Sequence, residues 1–169
     1  MSTEASAQES RIRQATAGQV LDKALSREAV ARRLIWHGIL LFLLGLLTGA
    51  LVGALKNPRM GISAHLEGVM NGTFLAVLGL AWQYLRLSSG LEAAAYWLAL
   101  YGTYVNWAAT LLAAVFGTSV MTPIIGQGYT AERWQELVVN FGLITLSLAM
   151  IAVCCVLLWG FRAKASQDE

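Results

Sequence analysis

Residues 36–55 read WHGILLFLLGLLTGALVGAL, twenty positions without one charged side chain. A helix rises about 1.5 Å per residue, so such a stretch is long enough to cross the roughly 30 Å hydrocarbon layer of a bilayer. Three more runs share the property: Gly68 to Leu85, Ala93 to Gly117 and Leu137 to Phe161. Composition agrees, with 57% apolar residues, 13% charged residues and a mean hydropathy of +0.58. Soluble domains are closer to about 45–50% apolar. The pattern predicts an all-α integral membrane four-helix bundle, with spans near 36–55, 68–85, 93–117 and 137–161, and no soluble catalytic domain.

Before the first span, Ile12, Val20, Leu21, Leu25 and Val30 alternate with Arg11, Arg13, Lys23, Arg27, Arg32 and Arg33. That mixture suggests an N-terminal amphipathic segment on the membrane surface. The division expected is a tail over 1–33, the bundle over 34–162 and a C-terminal tail over 163–169. No cleavable signal is expected, since the first apolar run starts only at Leu34, after a polar stretch of mixed charge. Of the twelve Lys and Arg, nine fall on one side: the six above, Arg86, Arg162 and Lys164. Lys56, Arg59 and Arg133 fall on the other, so the positive-inside rule places both termini in the cytoplasm. In a bacterium the membrane would be the inner one.

The sequence lacks a CxxC pair, a phosphate-binding glycine loop and a basic domain, which removes soluble-enzyme and nucleic-acid readings. Cys154 and Cys155 are adjacent in an apolar run and read as packing residues. Gly45, Gly49 and Gly53 recur every fourth position, a stripe that lets another helix approach closely.

Polar residues inside the spans carry the functional signal, because placing them in hydrocarbon is costly. His37 opens the first span; His65, Glu67 and Asn71 open the second. Thr103, Tyr104, Asn106 and Thr110 lie on the third and Asn140 on the fourth. Counted at about 1.5 Å per residue from a shared surface, Asn71, Thr110 and Asn140 each lie roughly 9–10 Å deep, which predicts one polar layer. Cross-helix hydrogen bonds that hold the bundle together are the plain reading of Thr103, Thr110 and Asn140. His65, beside the layer, is a candidate ligand for a transition-metal cofactor. His37 and His65 enter from opposite surfaces, roughly 25–30 Å apart in depth, so they cannot share one iron. Glu67 is expected to pair with Arg59 or water at the interface. Asn57-Pro58 ends the first helix and Ser63 is a reasonable N-cap for the second. The stretch 122–129 reads as an ordered outer loop, a connector more than a lid.

The segment SAHLEGVMNGTFL over 63–75, with GTYVNWAAT over 102–110, closely resembles the hydroxylaminobenzene mutase family across all four spans. That resemblance implies a membrane isomerase that converts hydroxylaminobenzene into 2-aminophenol in bacterial nitroarene breakdown, without net oxidation or reduction. A more distant likeness is to styrene oxide isomerase, carried by His37-Gly-Ile-Leu, His65, Asn71-Gly and Asn106. It implies haem b at the subunit interfaces of a homotrimer, His65 as the axial ligand of the haem iron and Asn71 at the substrate. Arg59 then becomes a conceivable contact for a haem propionate. The epoxide isomerases also use an Asp and a Tyr in the third span, where a gap-free match on Asn106 places Gly102 and Thr110. This departure favours the mutase.

The expected chemistry is ferric haem acting as a Lewis acid on a small aromatic hydroxylamine. Asn71 and Asn106 orient the N–OH group, Tyr104 donates a proton, and Trp107 and Phe74 wall the ring. Six residues at about 100° each separate His65 from Asn71 by roughly 120°, so the two face different neighbours. The alternatives are an epoxide isomerase on the same scaffold and a non-enzymatic haem-binding membrane subunit.

Overall fold

The computed structural model describes residues 2–162, and of the side chains before Ala24 only those at Gln8, Arg13, Thr16 and Leu21. The expected C-terminal tail, 163–169, and the amphipathic positions Arg11, Ile12, Val20 and Lys23 lie outside these described residues and side chains. Four helices follow one another: α1 (Ser2–Leu51), α2 (Pro58–Ala81), α3 (Ser89–Phe116) and α4 (Arg133–Arg162). Short 3₁₀ turns, Val52–Ala54 and Trp82–Tyr84, close α1 and α2. Each helix contains a stretch long and apolar enough to cross a membrane, and the described residues include no strand. The protein is an all-helical, multi-pass membrane protein.

The helices overrun the charge-free runs that announce them. α1 continues unbroken from the N-terminal segment into the first span, with Leu21 and Leu25 exposed. α2 starts at Pro58 rather than near Gly68, because Arg59 and Glu67 interrupt an uncharged run without interrupting a helix. Its N-cap is Asn57 and not Ser63: the Asn57 side chain accepts the Met60 N–H at 3.2 Å, and Pro58, with φ already set, occupies the first turn. Ser63, now inside the helix, turns its hydroxyl to the Arg59 carbonyl. At the end of α3, Gly117 takes a left-handed φ of +73° and returns its N–H to the Ala113 carbonyl.

α2 and α3 are the inner helices, 39% and 44% buried over their apolar windows against 22% for α1 and α4. α1 packs along α2, α2 along α3, and α3 along α4. The α1–α2 contact is unusually close and is made by glycine. A methyl on Gly68 would sit 2.4 Å from the Gly45 Cα, and one on Gly72 would sit 2.5 Å from the Phe42 nitrogen. Van der Waals packing of this kind holds helices together where no water is present to drive them.

Two apolar clusters fill the ends of the bundle. One joins Leu34, Leu41, Leu75, Trp82, Ala99 and Val153 with their neighbours, and the other joins Met60, Ala113, Ala114 and Val139. Between them along α2 and α3 lie residues 65–71 and 103–110, so the polar side chains sit between two apolar plugs.

Both ends are tied by side chains reaching for helix-terminal carbonyls. Arg27 donates to the carbonyls of Trp82 and Leu85 and pairs with Glu92 at 3.4 Å. At the other end Lys56 donates to the carbonyls of Phe116 and Thr130, Asn57 to Ile125, and Arg59 to Gln127. The outer loop is thus a connector pinned to the α1–α2 turn. Cys154 and Cys155 are free and exposed on the outside of α4; they do not pack inside the chain, because α4 is a flanking helix.

Candidate functional site

The expected polar layer is real in part, and its centre is a residue the sequence reading placed elsewhere. Glu67 does not pair with Arg59. Its Oε2 accepts Asn71 Nδ2 at 3.0 Å and Asn106 Nδ2 at 2.5 Å, joining α2 to α3 through one carboxylate. Arg59 instead reaches the Gln127 carbonyl at 2.6 Å, and its guanidinium stands 5.9 Å from the centre of the Tyr129 ring. The outer loop, not visible as a partner in the sequence, takes the arginine away. Two N–H donors then offset part of the cost of holding a carboxylate in an apolar bundle.

The carboxylate also settles the orientation of both amides. A carboxylate only accepts, so each asparagine must turn its NH₂ toward Glu67 and its carbonyl oxygen elsewhere. Asn71 is 8% exposed and Asn106 half-buried, so neither amide is free to sample both orientations in water.

The other members of the expected layer do not join it. Thr103 donates to the carbonyls of Ala99 and Leu100, and Thr110 to that of Asn106, all within α3. They satisfy their hydroxyls on the preceding turn and do not cross-link helices, a common choice for threonine in an apolar helix. Asn140 Oδ1 is buried with no hydrogen-bond partner among the described residues.

His65 lies on a different face of α2. Its Nδ1 is 2.8 Å from the Gly45 carbonyl on α1. A carbonyl accepts only, so Nδ1 is the donor and Nε2 is the nitrogen left for another partner. The ring rests against Gly49, where a methyl would come within 2.7 Å of Nδ1. The glycine stripe therefore divides its labour: Gly45 admits the backbone of α2, Gly49 seats the imidazole, and Gly53 meets nothing within 4 Å.

His37 and His65 have separate partners. His37 Nδ1 hydrogen-bonds the Tyr104 hydroxyl at 3.1 Å, with the two rings edge to face. Tyr104 is thus engaged with α1 and makes no hydrogen bond to the Glu67 cluster. Trp107 donates its indole N–H to Thr48 at 3.1 Å and packs beside Gly68, while Phe74 borders the larger apolar cluster. A groove of about 560 Å³ between α1 and α2, lined by Arg27, Arg32 and Gln83, lies at the far end of α2 from these residues.

Glu67 stood among the polar residues opening the second span but was assigned to the interface, because an uncharged-run criterion puts any charge at the membrane edge. The signal that finds it is spacing: Glu67 and Asn71 stand four apart on one helical face, the separation at which side chains touch.

A multi-pass helical membrane protein with an oriented imidazole on one face of an inner helix, and a carboxylate holding two amides on another, has the makings of an intramembrane enzyme site. The chain belongs to the styrene oxide isomerase family, whose family model matches residues 30–162. It is similar to two hydroxylaminobenzene mutases of Ectopseudomonas oleovorans. One, HabB, is 53% identical over 139 residues, covering 82% of this chain and 85% of the relative. The other, HabA, is 45% identical over 124 residues, covering 73% and 92%. No solved structure matches the chain. The protein is a membrane isomerase of the mutase type.

Proposed function

We propose that the protein rearranges hydroxylaminobenzene to 2-aminophenol, with haem b held by His65. The observation that carries the proposal is the hydrogen-bonded union of Asn71 and Asn106 through Glu67 on α2, the helix that presents the His65 imidazole.

The residues suit haem. His65 offers a single imidazole held by the Gly45 carbonyl, a donor that suits an iron bringing its other ligands with it, as a porphyrin does. A ring with Nδ1 tied to a backbone carbonyl and Nε2 free is the usual disposition of a metal-binding histidine. Ferric haem, when bound, supplies a Lewis acid that weakens the N–O bond. Arg59 is exposed and keeps further N–H donors for a haem propionate beyond the one given to Gln127.

The chain's own residues do the rest. Asn71 and Asn106 orient the N–OH group of the substrate, and the second N–H of each amide reaches the migrating oxygen. Phe74 and Trp107 flank the ring and exclude water, which favours delivery of oxygen to the adjacent ortho carbon over capture by solvent. Tyr104, hydrogen-bonded to His37, donates a proton to the nitrogen as the N–O bond breaks and is restored by the proton that the ortho carbon releases once the C–O bond has formed. The assembly is a homotrimer with haem between subunits. It sits in the bacterial inner membrane with both termini in the cytoplasm.

The test is a pair of measurements on detergent-purified protein supplied with haem during expression. Wild type is expected to form 2-aminophenol from hydroxylaminobenzene and to show a Soret band that His65→Ala loses. Absence of product from folded, haem-supplied wild type would refute the reaction. A Soret band that survives His65→Ala would refute the ligand.

A further inference from the structure

Glu67 spends only half of its carboxylate on Asn71 and Asn106. Both amides reach the same oxygen, Oε2. Oε1 has no hydrogen-bond partner among the described residues, and it is absent from the oxygens that the chain seals off from its surroundings. A carboxylate oxygen on a membrane-spanning helix needs a donor, and among the described residues no cation is paired with Glu67.

We propose that Glu67 is the residue that sets substrate class, with Oε1 accepting a hydrogen bond directly from the N–H or O–H of an aryl hydroxylamine. The inference rests on the reaction proposed above and deepens it. A hydroxylamine carries two donors beside its aromatic ring. An epoxide of similar size carries one acceptor oxygen and no donor, so docking it against Oε1 strips water from a charged acceptor and returns nothing. A site built around a buried polar group rejects the ligand that leaves that group unpaired far more strongly than it rejects a misfit in size. One carboxylate therefore holds the two amides with one oxygen and discriminates between the two substrate classes of the family with the other.

Glu67→Gln isolates this role. The glutamine oxygen can take the place of Oε2 and keep both asparagines, while its NH₂ replaces Oε1, turning one acceptor into a donor with almost no change in shape. The experiment compares competitive inhibition constants for 2-aminophenol, which offers N–H and O–H donors, and styrene oxide, which offers an acceptor alone. Both are measured against hydroxylaminobenzene turnover in purified wild type and variant, each checked for an unchanged Soret band. In wild type 2-aminophenol is expected to bind at least tenfold more tightly than styrene oxide. In Glu67→Gln that ratio is expected to fall by at least tenfold. A smaller fall, or equal weakening of both ligands as a merely structural residue would give, overturns the proposal. Should the variant fail to assemble, the wild-type ratio decides: a preference below tenfold overturns it. Wild type inactive on hydroxylaminobenzene brings down the underlying reaction, an outcome distinct from active wild type with an unmoved ratio.

Discussion

Gly49→Ala tests the seat of His65 without touching the imidazole itself. The added methyl would stand 2.7 Å from Nδ1 and 3.1 Å from Cγ and Cε1 of His65, well inside contact distance. What it meets is a side chain with two rotatable bonds, so the ring yields and the helices stay together. Yielding breaks the 2.8 Å hydrogen bond to Gly45, a loss of about 0.5–1.5 kcal/mol. Leaving the preferred rotamer costs about as much again. If His65 holds haem as proposed, the sum of roughly 1–3 kcal/mol, at about 1.4 kcal/mol per tenfold, should weaken haem binding by about 5–150-fold. Haem titration followed at the Soret band measures this, beside thermal unfolding of the same samples. Gly53→Ala is the control, since a methyl there meets nothing within 4 Å. A Gly49→Ala titration curve that overlays wild type would refute the assignment of the glycine as the imidazole's seat.

Other substitutions probe the frame and the chemistry. Gly68→Ala drives a methyl to within 2.4 Å of the Gly45 backbone, which cannot rotate away. An overpacking cost of about 1–3 kcal/mol or more should appear as a lowered unfolding temperature in detergent. Asn57→Ala removes the cap of α2 and a tether of the outer loop. It should cost about 1–2 kcal/mol and speed proteolysis within 122–129, whereas an unchanged cleavage rate would mean the loop is held without it. Tyr104→Phe should slow 2-aminophenol formation by about 100-fold if the phenol donates its proton in the reaction, and a loss under threefold would reduce Tyr104 to a partner of His37.

The four spans were legible because hydrocarbon imposes a length and a charge rule that a sequence displays directly. Helix ends were less legible, since Pro58, Arg59 and Glu67 break a hydropathy pattern and leave the backbone hydrogen bonds of α2 intact. Among the site residues, Asn71 and Asn106 were readable as costly polar groups inside the spans, although the depth count grouped Asn71 with Thr110 and Asn140 instead. Their link was not, because it passes through a carboxylate whose partner is fixed by how α2 and α3 are rotated about their axes. The same rotation turned Thr103 and Thr110 back onto their own helix and sent Tyr104 to His37. Arg59 escaped prediction for another reason: its partners belong to an irregular loop without periodicity to read.

On the proposed reading, α2 presents two chemistries that cannot meet within one chain. Two residues at about 100° each put Glu67 roughly 200° around the helix from His65, while Asn71 falls within about 40° of Glu67. The imidazole faces α1 and the amides face α3, as their hydrogen bonds show. A pocket containing both the iron and the asparagines must then join His65 of one subunit to the Glu67 face of its neighbour. Such a contact is heterologous, and a heterologous contact that closes makes a ring. Co-expressing His65→Ala with Asn71→Ala tests this, because each variant alone lacks one half of every site. In a mixed ring, some interfaces pair an intact His65 with an intact Asn71 from the other chain, and 2-aminophenol formation should reappear at a fraction of wild type. Co-purified mixed assemblies that bind haem yet stay inactive would place both halves of the site in the same subunit and would require α2 to twist or tilt away from its present geometry.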